Sequence, residues 1–367
     1  MSIKPHTPHK LPIKISYEEL VSAVAQANAS IARLDTLMSQ LPNPDLLSRT
    51  FITKEAVLSS QIEGTQASLL DVLEQEAMGV KEEYTEKGRD IKEILNYRDA
   101  MDLGVKALNN KEKISEKLIL DLHKILLRSV RGHNKKPGGF RDVQVYIGRP
   151  GLGIEHASYI PPEHVKVPDL MKNLIEYMNT YVEKDRLVQT AMSHSQFEAI
   201  HPFIDGNGRV GRLLISLFLY EKKILTKPFL YISEYFEAHR PEYYALLKGV
   251  TENDDWHSWI LFFLQALDEQ ARKVTKVSQD ILDLYRVEKD AISKYHSAYA
   301  LDLLDAVFMQ PVFSTATIRK LTSIKNTQTL FTIIEKFEKE GILVNMTPGK
   351  KRGRIYMFKQ LIDLVEK

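Results

Sequence analysis

Cysteine is absent from the 367 residues. Disulfides, thiolate-held zinc and thiol nucleophiles are therefore all excluded. No charge of one sign prevails either: 50 basic against 48 acidic side chains leave +2, which argues against a globally basic nucleic-acid binder. Long apolar runs are missing as well. The longest, around 213–220 and 259–264, fall well short of the ~18 residues that would span a bilayer. Residues 1–14 are polar, with His6 and His9 among prolines, and hold no apolar signal core. The expectation is a soluble cytoplasmic protein with no membrane partner. What the chain does have is length for two or three domains and 44% hydrophobic side chains, enough for real cores.

One stretch, 201–212, reads His-Pro-Phe-Ile-Asp-Gly-Asn-Gly-Arg-Val-Gly-Arg. It separates two segments of helical periodicity, 187–200 and 213–219, the second apolar nearly all round and hence central. Pro202 disfavours helical geometry at His201, which places the histidine where the first helix ends. Gly206 and Gly208 permit positive φ or close backbone approach, leaving amides free to converge on an anion. The next helix begins at about Asn207 to Arg209, so its N-terminal dipole points into the same space. Arg209 and Arg212, three apart, share a face of it. An imidazole, one carboxylate (Asp205), an amide nest and two guanidinium groups suit phosphoryl or nucleotidyl transfer. Arginines and amides neutralise phosphate charge, and a histidine titrating near neutrality can accept a hydroxyl proton. A single carboxylate is what Mg²⁺ takes from a protein when phosphate oxygens and water complete its shell. Taken singly, each residue also reads as part of an ordinary capped turn; the ordered set does not.

The stretch resembles the signature of the Fic family, His-Pro-Phe-x-(Asp/Glu)-Gly-Asn-Gly-Arg-x-x-Arg, at every defined position, and the likeness extends over about residues 10–270. It implies transfer of AMP from ATP to a Ser, Thr or Tyr hydroxyl of a target protein, or of the chain itself. His201 would be the general base, Asp205 the Mg²⁺ ligand, and Gly206, Asn207 and Gly208 the binders of the α- and β-phosphates. Arg209 would contact the phosphate tail and Arg212 the γ-phosphate. Upstream, a helix expected over about 45–64 ends in Ser59-Ser60-Gln61-Ile62-Glu63-Gly64. Ser59 and Glu63 are four apart on one face, and Gly64 suits a helix C-cap; physically this is an ordinary Ser/Glu pair before a helix stop. By resemblance it matches the family's inhibitory motif, in which Glu63 would pair with Arg212 and obstruct the γ-phosphate site.

Helical periodicity covers most of the remainder. A long helix is expected over 17–41, others within 66–112, over 114–127, 167–182, 234–250 and 256–271, and a charged connecting helix over 272–295. Residues 1–15 read as a loose arm. Val143 to Ile147 alternate at period two and face Ala157 to Ile160 across a Gly-rich tip, a β-hairpin. By resemblance it is the flap, with Val145, Tyr146 and Ile147 docking a target peptide by strand addition. Tyr235, His239 and Tyr243 are candidates for an adenine pocket, or for plain core. After residue 300, three short helices and two strands flank the basic loop holding Lys350, Lys351, Arg352 and Arg354. This resembles a winged helix–turn–helix, whose partner is DNA or protein, a second copy included. The expected architecture is mainly α: an N-terminal helical region over 1–112, a catalytic bundle with its flap over 113–271, a connecting helix over 272–299 and the winged domain over 300–367. Two other functional readings are a nucleotide-sensing DNA-binding regulator and a deadenylylating enzyme using the same site. Intact His201 favours chemistry over sensing.

Overall fold

The computed structural model describes residues 4–39, 45–79, 85–130, 134–148, 153–350 and 352–367. Lys351, the hairpin tip 149–152 and residues 80–84 fall outside them. The N-terminal arm is not loose: Leu11 exchanges two hydrogen bonds with the Asn173 side chain, and Gln196 donates to the His9 carbonyl. Helix α1 (Val21–Ser39) follows, then α2 (Asp45–Ile62). A Ser68–Asp71 capping box starts α3 (Leu69–Met78), and Thr85 caps α4 (Glu86–Asn109). Ser115 caps α5 (Glu116–Leu126).

Strands β1 (Ile147–Gly148) and β2 (Ala157–Tyr159) form the expected hairpin, but it is shorter than the alternation suggested. Pro161 and Pro162 have no amide to donate, and the Ile160 carbonyl is taken by His6 of the arm. The ladder therefore stops at Tyr159. Next come α6 (Val167–Met178), α7 (Arg186–Ile200) and α8 (Asn207–Glu221). Helix α8 is buried continuously from Arg209 to Leu219 and packs on α7, α4, α5 and α2, as an all-round apolar helix must.

The run expected over 234–250 is two helices, α9 (Ser233–Ala238) and α10 (Arg240–Asn253). Pro241, which fits only the first turn of a helix, starts the second. Conversely, the two helices expected over 256–295 are one, α11 (Trp256–Ser293). It lies along α1.

The C-terminal segment holds α12 (Ala298–Met309), β3 (Val312–Ser314), α13 (Thr315–Ile318), α14 (Thr327–Lys339), β4 (Val344–Asn345), β5 (Ile355–Met357) and α15 (Lys359–Glu366). The sheet has three antiparallel strands, in the order β3-β5-β4. Its first strand and the closing helix α15 were not expected from the sequence. This segment packs directly on the rest: α12 on α2, β3 on α3, α15 on α11. The buried Lys54 ammonium of α2 donates to the Val365 carbonyl at 2.7 Å and pairs with Glu234 at 2.9 Å. No helix among the described residues is long and apolar enough to cross a membrane.

Candidate active site

Helix α7 ends at His201, whose φ of 50° is left-handed. The turn is fixed from outside. Buried Arg141 donates from Nε to the His201 carbonyl at 2.9 Å and from Nη1 to Val143, while its amide donates to the Pro202 carbonyl. One guanidinium thus ties the histidine turn to the root of the hairpin. The His201 Nδ1 is buried with no hydrogen-bond partner among the described residues. Burial pushes the imidazole down to about 4, against the pull of the Glu198 carbonyl, so at neutral pH the ring is neutral and able to take a proton.

The loop after it is closed by its own residues. The Asn207 side chain accepts from the Phe203 amide at 2.8 Å and donates to the Phe203 carbonyl at 2.9 Å. Its amide group is thereby used in shaping the loop, and only its main-chain N–H remains for an anion. His123 of α5 stacks on Phe203 at 3.7 Å. It accepts from the Gly138 amide at 3.0 Å and holds the Asp205 carbonyl at 3.0 Å, which fixes the neutral tautomer with the proton on Nε2. Burial keeps it neutral, its value pushed down to about 4. Gly206, at φ 83°, opens α8. The Asp205 carboxylate stays a quarter exposed, 3.5 Å from Arg209 and 3.7 Å from Lys135.

The two arginines part company. Arg209 turns to α4 and donates to Glu93 at 2.8 Å, both side chains almost wholly buried. Its Nη1 is thus engaged in an ion pair with α4, while Nη2 lies 3.5 Å from Asp205 in the loop. Arg212 turns to α2, donating from Nε to Ser59 Oγ at 2.9 Å and from Nη2 to the Ser59 carbonyl at 2.8 Å and Glu63 at 2.7 Å. Burial alone would favour a neutral guanidinium, but Glu63 outweighs it and holds Arg212 charged. In return, Arg212 overcomes the burial of Glu63 and keeps it below the usual carboxylate range. A Cβ on Gly208 would sit 2.2 Å from Glu63 Oε1 and 2.9 Å from Arg212 Nη1. Only glycine lets the α8 backbone approach this pair so closely.

A cavity of about 710 Å³ joins these parts, lined among others by Glu63, His201, Gly208, Arg212, Tyr146 and Ile147. Val145 does not line it. Of the three adenine candidates only Tyr243 does, and it is buried, with its hydroxyl 2.8 Å from His194 Nε2. Tyr235 and His239 stack on each other at 4.1 Å away from the lining. The break between α9 and α10 destroys the common face that a single helix would have given the three. Tyr244, Leu247 and Thr251 of α10 line the cavity instead. Among the described residues no group of three or more His, Asp or Glu side chains converges on a metal position.

Sequence reasoning missed Glu93, His123, Arg141 and Glu198. None belongs to a local pattern except Glu198, three residues before His201 and so one turn back on the same helix.

Two family descriptions match the chain: Fic/DOC family N-terminal over residues 21–106 and Fic/DOC family over residues 113–219. The chain belongs to the Fic/DOC family. A probable protein adenylyltransferase of Aquifex aeolicus is 32% identical over 195 residues, 52% of this chain and 55% of that one. Protein adenylyltransferase Fic of Drosophila erecta is 34% identical over 166 residues, covering 42% of this chain and 29% of its own. The Fic/DOC chain therefore spans about half the length of the first relative and less than a third of the second. Among solved structures, a Fic family protein of Desulfovibrio desulfuricans aligns over 95% of this chain and 98% of its own, with a TM-score of 0.60 and 22% identity. The Fic-1 fragment of C. elegans aligns over 72% of this chain and 75% of its own, with a TM-score of 0.53 and 22% identity. These likenesses show a shared, mainly helical fold.

Proposed function

We propose that this Fic/DOC protein is a protein adenylyltransferase held in check by its own Glu63. The observation that carries the reading is the Glu63–Arg212 pair in the same cavity as a neutral His201. ATP would lay its phosphates along the 206–208 amides at the start of α8, where the helix dipole favours negative charge, with its outermost phosphate directed at Arg212. His201 takes the proton of the target hydroxyl. The hydroxyl oxygen bonds to the α-phosphorus, the bond from that phosphorus to the bridging oxygen breaks, and pyrophosphate leaves with the electron pair. Asp205, a lone and partly exposed carboxylate, fits a cation that draws most of its ligands from phosphate and water. Mg²⁺ bound with the nucleotide would shield the phosphate charge. The exposed edge at Tyr146 and Ile147 suits a target segment added as a strand, bringing its hydroxyl toward His201.

We read residues 300–367 as a winged helix–turn–helix, joined through 272–299 to a catalytic bundle over 113–271 and an N-terminal region over 1–112. Exposed Lys350 and Arg352, with Arg354 donating to the Lys350 carbonyl, make its wing a candidate for holding phosphate. Replacing all three by Ala should flatten the salt dependence of DNA binding by about one unit for each phosphate no longer neutralised. An intact protein that binds no DNA at low salt leaves protein binding as the role of the segment. The decisive test of the catalytic reading is mass spectrometry of lysate proteins, and of the chain itself, after incubation with ATP and Mg²⁺. An AMP increment is expected with Glu63→Gly and none with Glu63→Gly/His201→Ala. Its absence from both overturns the reading.

A further inference from the structure

Among the described residues, every hydrogen bond that Arg212 makes goes to one segment, Ser59 near the end of α2 and Glu63 just past it. If that segment yields to a nucleotide, Arg212 loses all of its protein partners at once. Its side chain is 1% exposed, and a buried guanidinium without a partner is costly. Glu198 stands beside it. It lies on α7, lines the same cavity, and its carboxylate packs on Gly211, where a Cβ would come within 2.3 Å of Oε1. That Oε1 is buried and has no hydrogen-bond partner among the described residues. Glu55 is no substitute, since it sits on α2 itself and is bound to Ser233 and Tyr97.

We propose that Glu198 is the second partner of Arg212, the carboxylate that takes the guanidinium when Glu63 leaves it. The proposal rests on the inhibitory reading of Glu63 for its occasion, and on the packing of α7 against α8 for its geometry. Its role is to position Arg212, keeping the guanidinium charged and aimed into the cavity through the part of the cycle in which α2 does not hold it. The groups facing Glu198 are Arg212 from α8, Glu63 from the end of α2, and Tyr243 and Tyr244 from α10, with His194 and His201 on its own helix and just past its end.

While Glu63 occupies Arg212, burial pushes Glu198 up to about 7, and the neighbouring Glu63 charge adds to the rise. A carboxyl whose folded value lies above its unfolded one loses stability as pH climbs between the two. Ionised Glu198 is therefore a burden to the resting protein at pH 8. Without Glu63 the like charge is gone and Arg212 is unclaimed, so Glu198 falls toward or below its ordinary range and becomes a support. The test is the unfolding midpoint of the full chain, at pH 8 and across pH 4.5–8, for wild type, Glu63→Gly, Glu198→Gln and the double variant. Glu198→Gln should raise the midpoint of the wild type and lower that of Glu63→Gly, each by roughly 1–2 °C or more. The wild-type gain should fade as pH falls below about 7, a profile that loss of packing alone would not produce. Shifts of one sign in both backgrounds overturn the proposal. Opposite shifts in proteins that transfer no AMP would sustain it while removing the catalytic reading, and raised transfer with like shifts would do the reverse.

Discussion

Replacing Glu63 by Gly removes the carboxylate that Arg212 Nη2 holds at 2.7 Å and that crowds Gly208. A nucleotide whose γ-phosphate needs the same guanidinium must first break that bond. Hydrogen bonds to charged groups contribute about 1.5–3 kcal/mol, and Glu63 is a third exposed, so the lower half of that range applies best. At about 1.4 kcal/mol per factor of ten, the competition alone predicts a gain of about 10- to 40-fold in AMP transfer. A misaligned α-phosphate in the inhibited pose could add up to ~10²-fold, so a larger gain would point to pose and a smaller one to competition. Ser59→Ala should do less, since the Ser59 main-chain carbonyl still holds Arg212. Glu63→Gly/Arg212→Ala should not regain full activity, because the nucleotide loses its own anchor. The assay is incorporation of labelled AMP by wild type and Glu63→Gly at matched ATP. Equal or lower incorporation by Glu63→Gly would refute inhibition by this pairing, or would assign Glu63 to the reverse reaction.

Three further outcomes are expected. His201→Ala should lower AMP transfer by ~10²–10⁴-fold with ATP affinity nearly kept; and since the ring is neutral down to about 4, the transfer rate of Glu63→Gly should show no loss of this base between pH 8 and about pH 5. A midpoint near 6.5 in that profile would count against it. Glu93→Ala should destabilise the fold by about 3 kcal/mol in denaturant unfolding, because it leaves buried Arg209 only the looser contact with Asp205; a change below about 1 kcal/mol would mean the pair is not buried in solution. His123 and His194 are neutral by burial, at about 4 and about 3. Their folded values lie below the unfolded 6.5, so the folded state binds fewer protons there, and thermal stability should fall as pH drops from 6.5 toward 4. His123→Gln should reduce that fall.

Much of this was legible in the sequence. Periodicity located the main helices, and the order of residues from His201 to Arg212 identified the loop that joins two of them. The link between Glu63 and Arg212, 149 positions apart, was legible only through likeness to other chains, since no local pattern encodes it. Glu93 with Arg209, and Arg141 with the His201 carbonyl, were not legible at all. Each is a pairing of distant segments chosen by how helices pack, and periodicity says only which face is buried. The helix break expected near residue 272 was a misreading of composition. Charge rises there because α11 emerges from the core, yet no glycine or proline interrupts it between Trp256 and Ser293. The opposite error at Pro241 was avoidable, because a proline in a helical run marks a beginning more often than an interior.

Helix α2 meets the two ends of the molecule's business. Near its middle Lys54 holds the last turn of the chain through the Val365 carbonyl, and just past its end Glu63 holds Arg212. Nine steps along the chain, eight of them within the helix, separate them, roughly 13 Å at 1.5 Å per residue. The segment is therefore a short stiff rod that touches the C-terminal helix at one point and Arg212 at another. A tilt of about 5° around Lys54 would carry the far end through about 1 Å, roughly the difference between a hydrogen bond and a gap. A displacement of the C-terminal helix that tilted α2 would thus be felt at the Glu63–Arg212 pair with no residue in between needing to unfold.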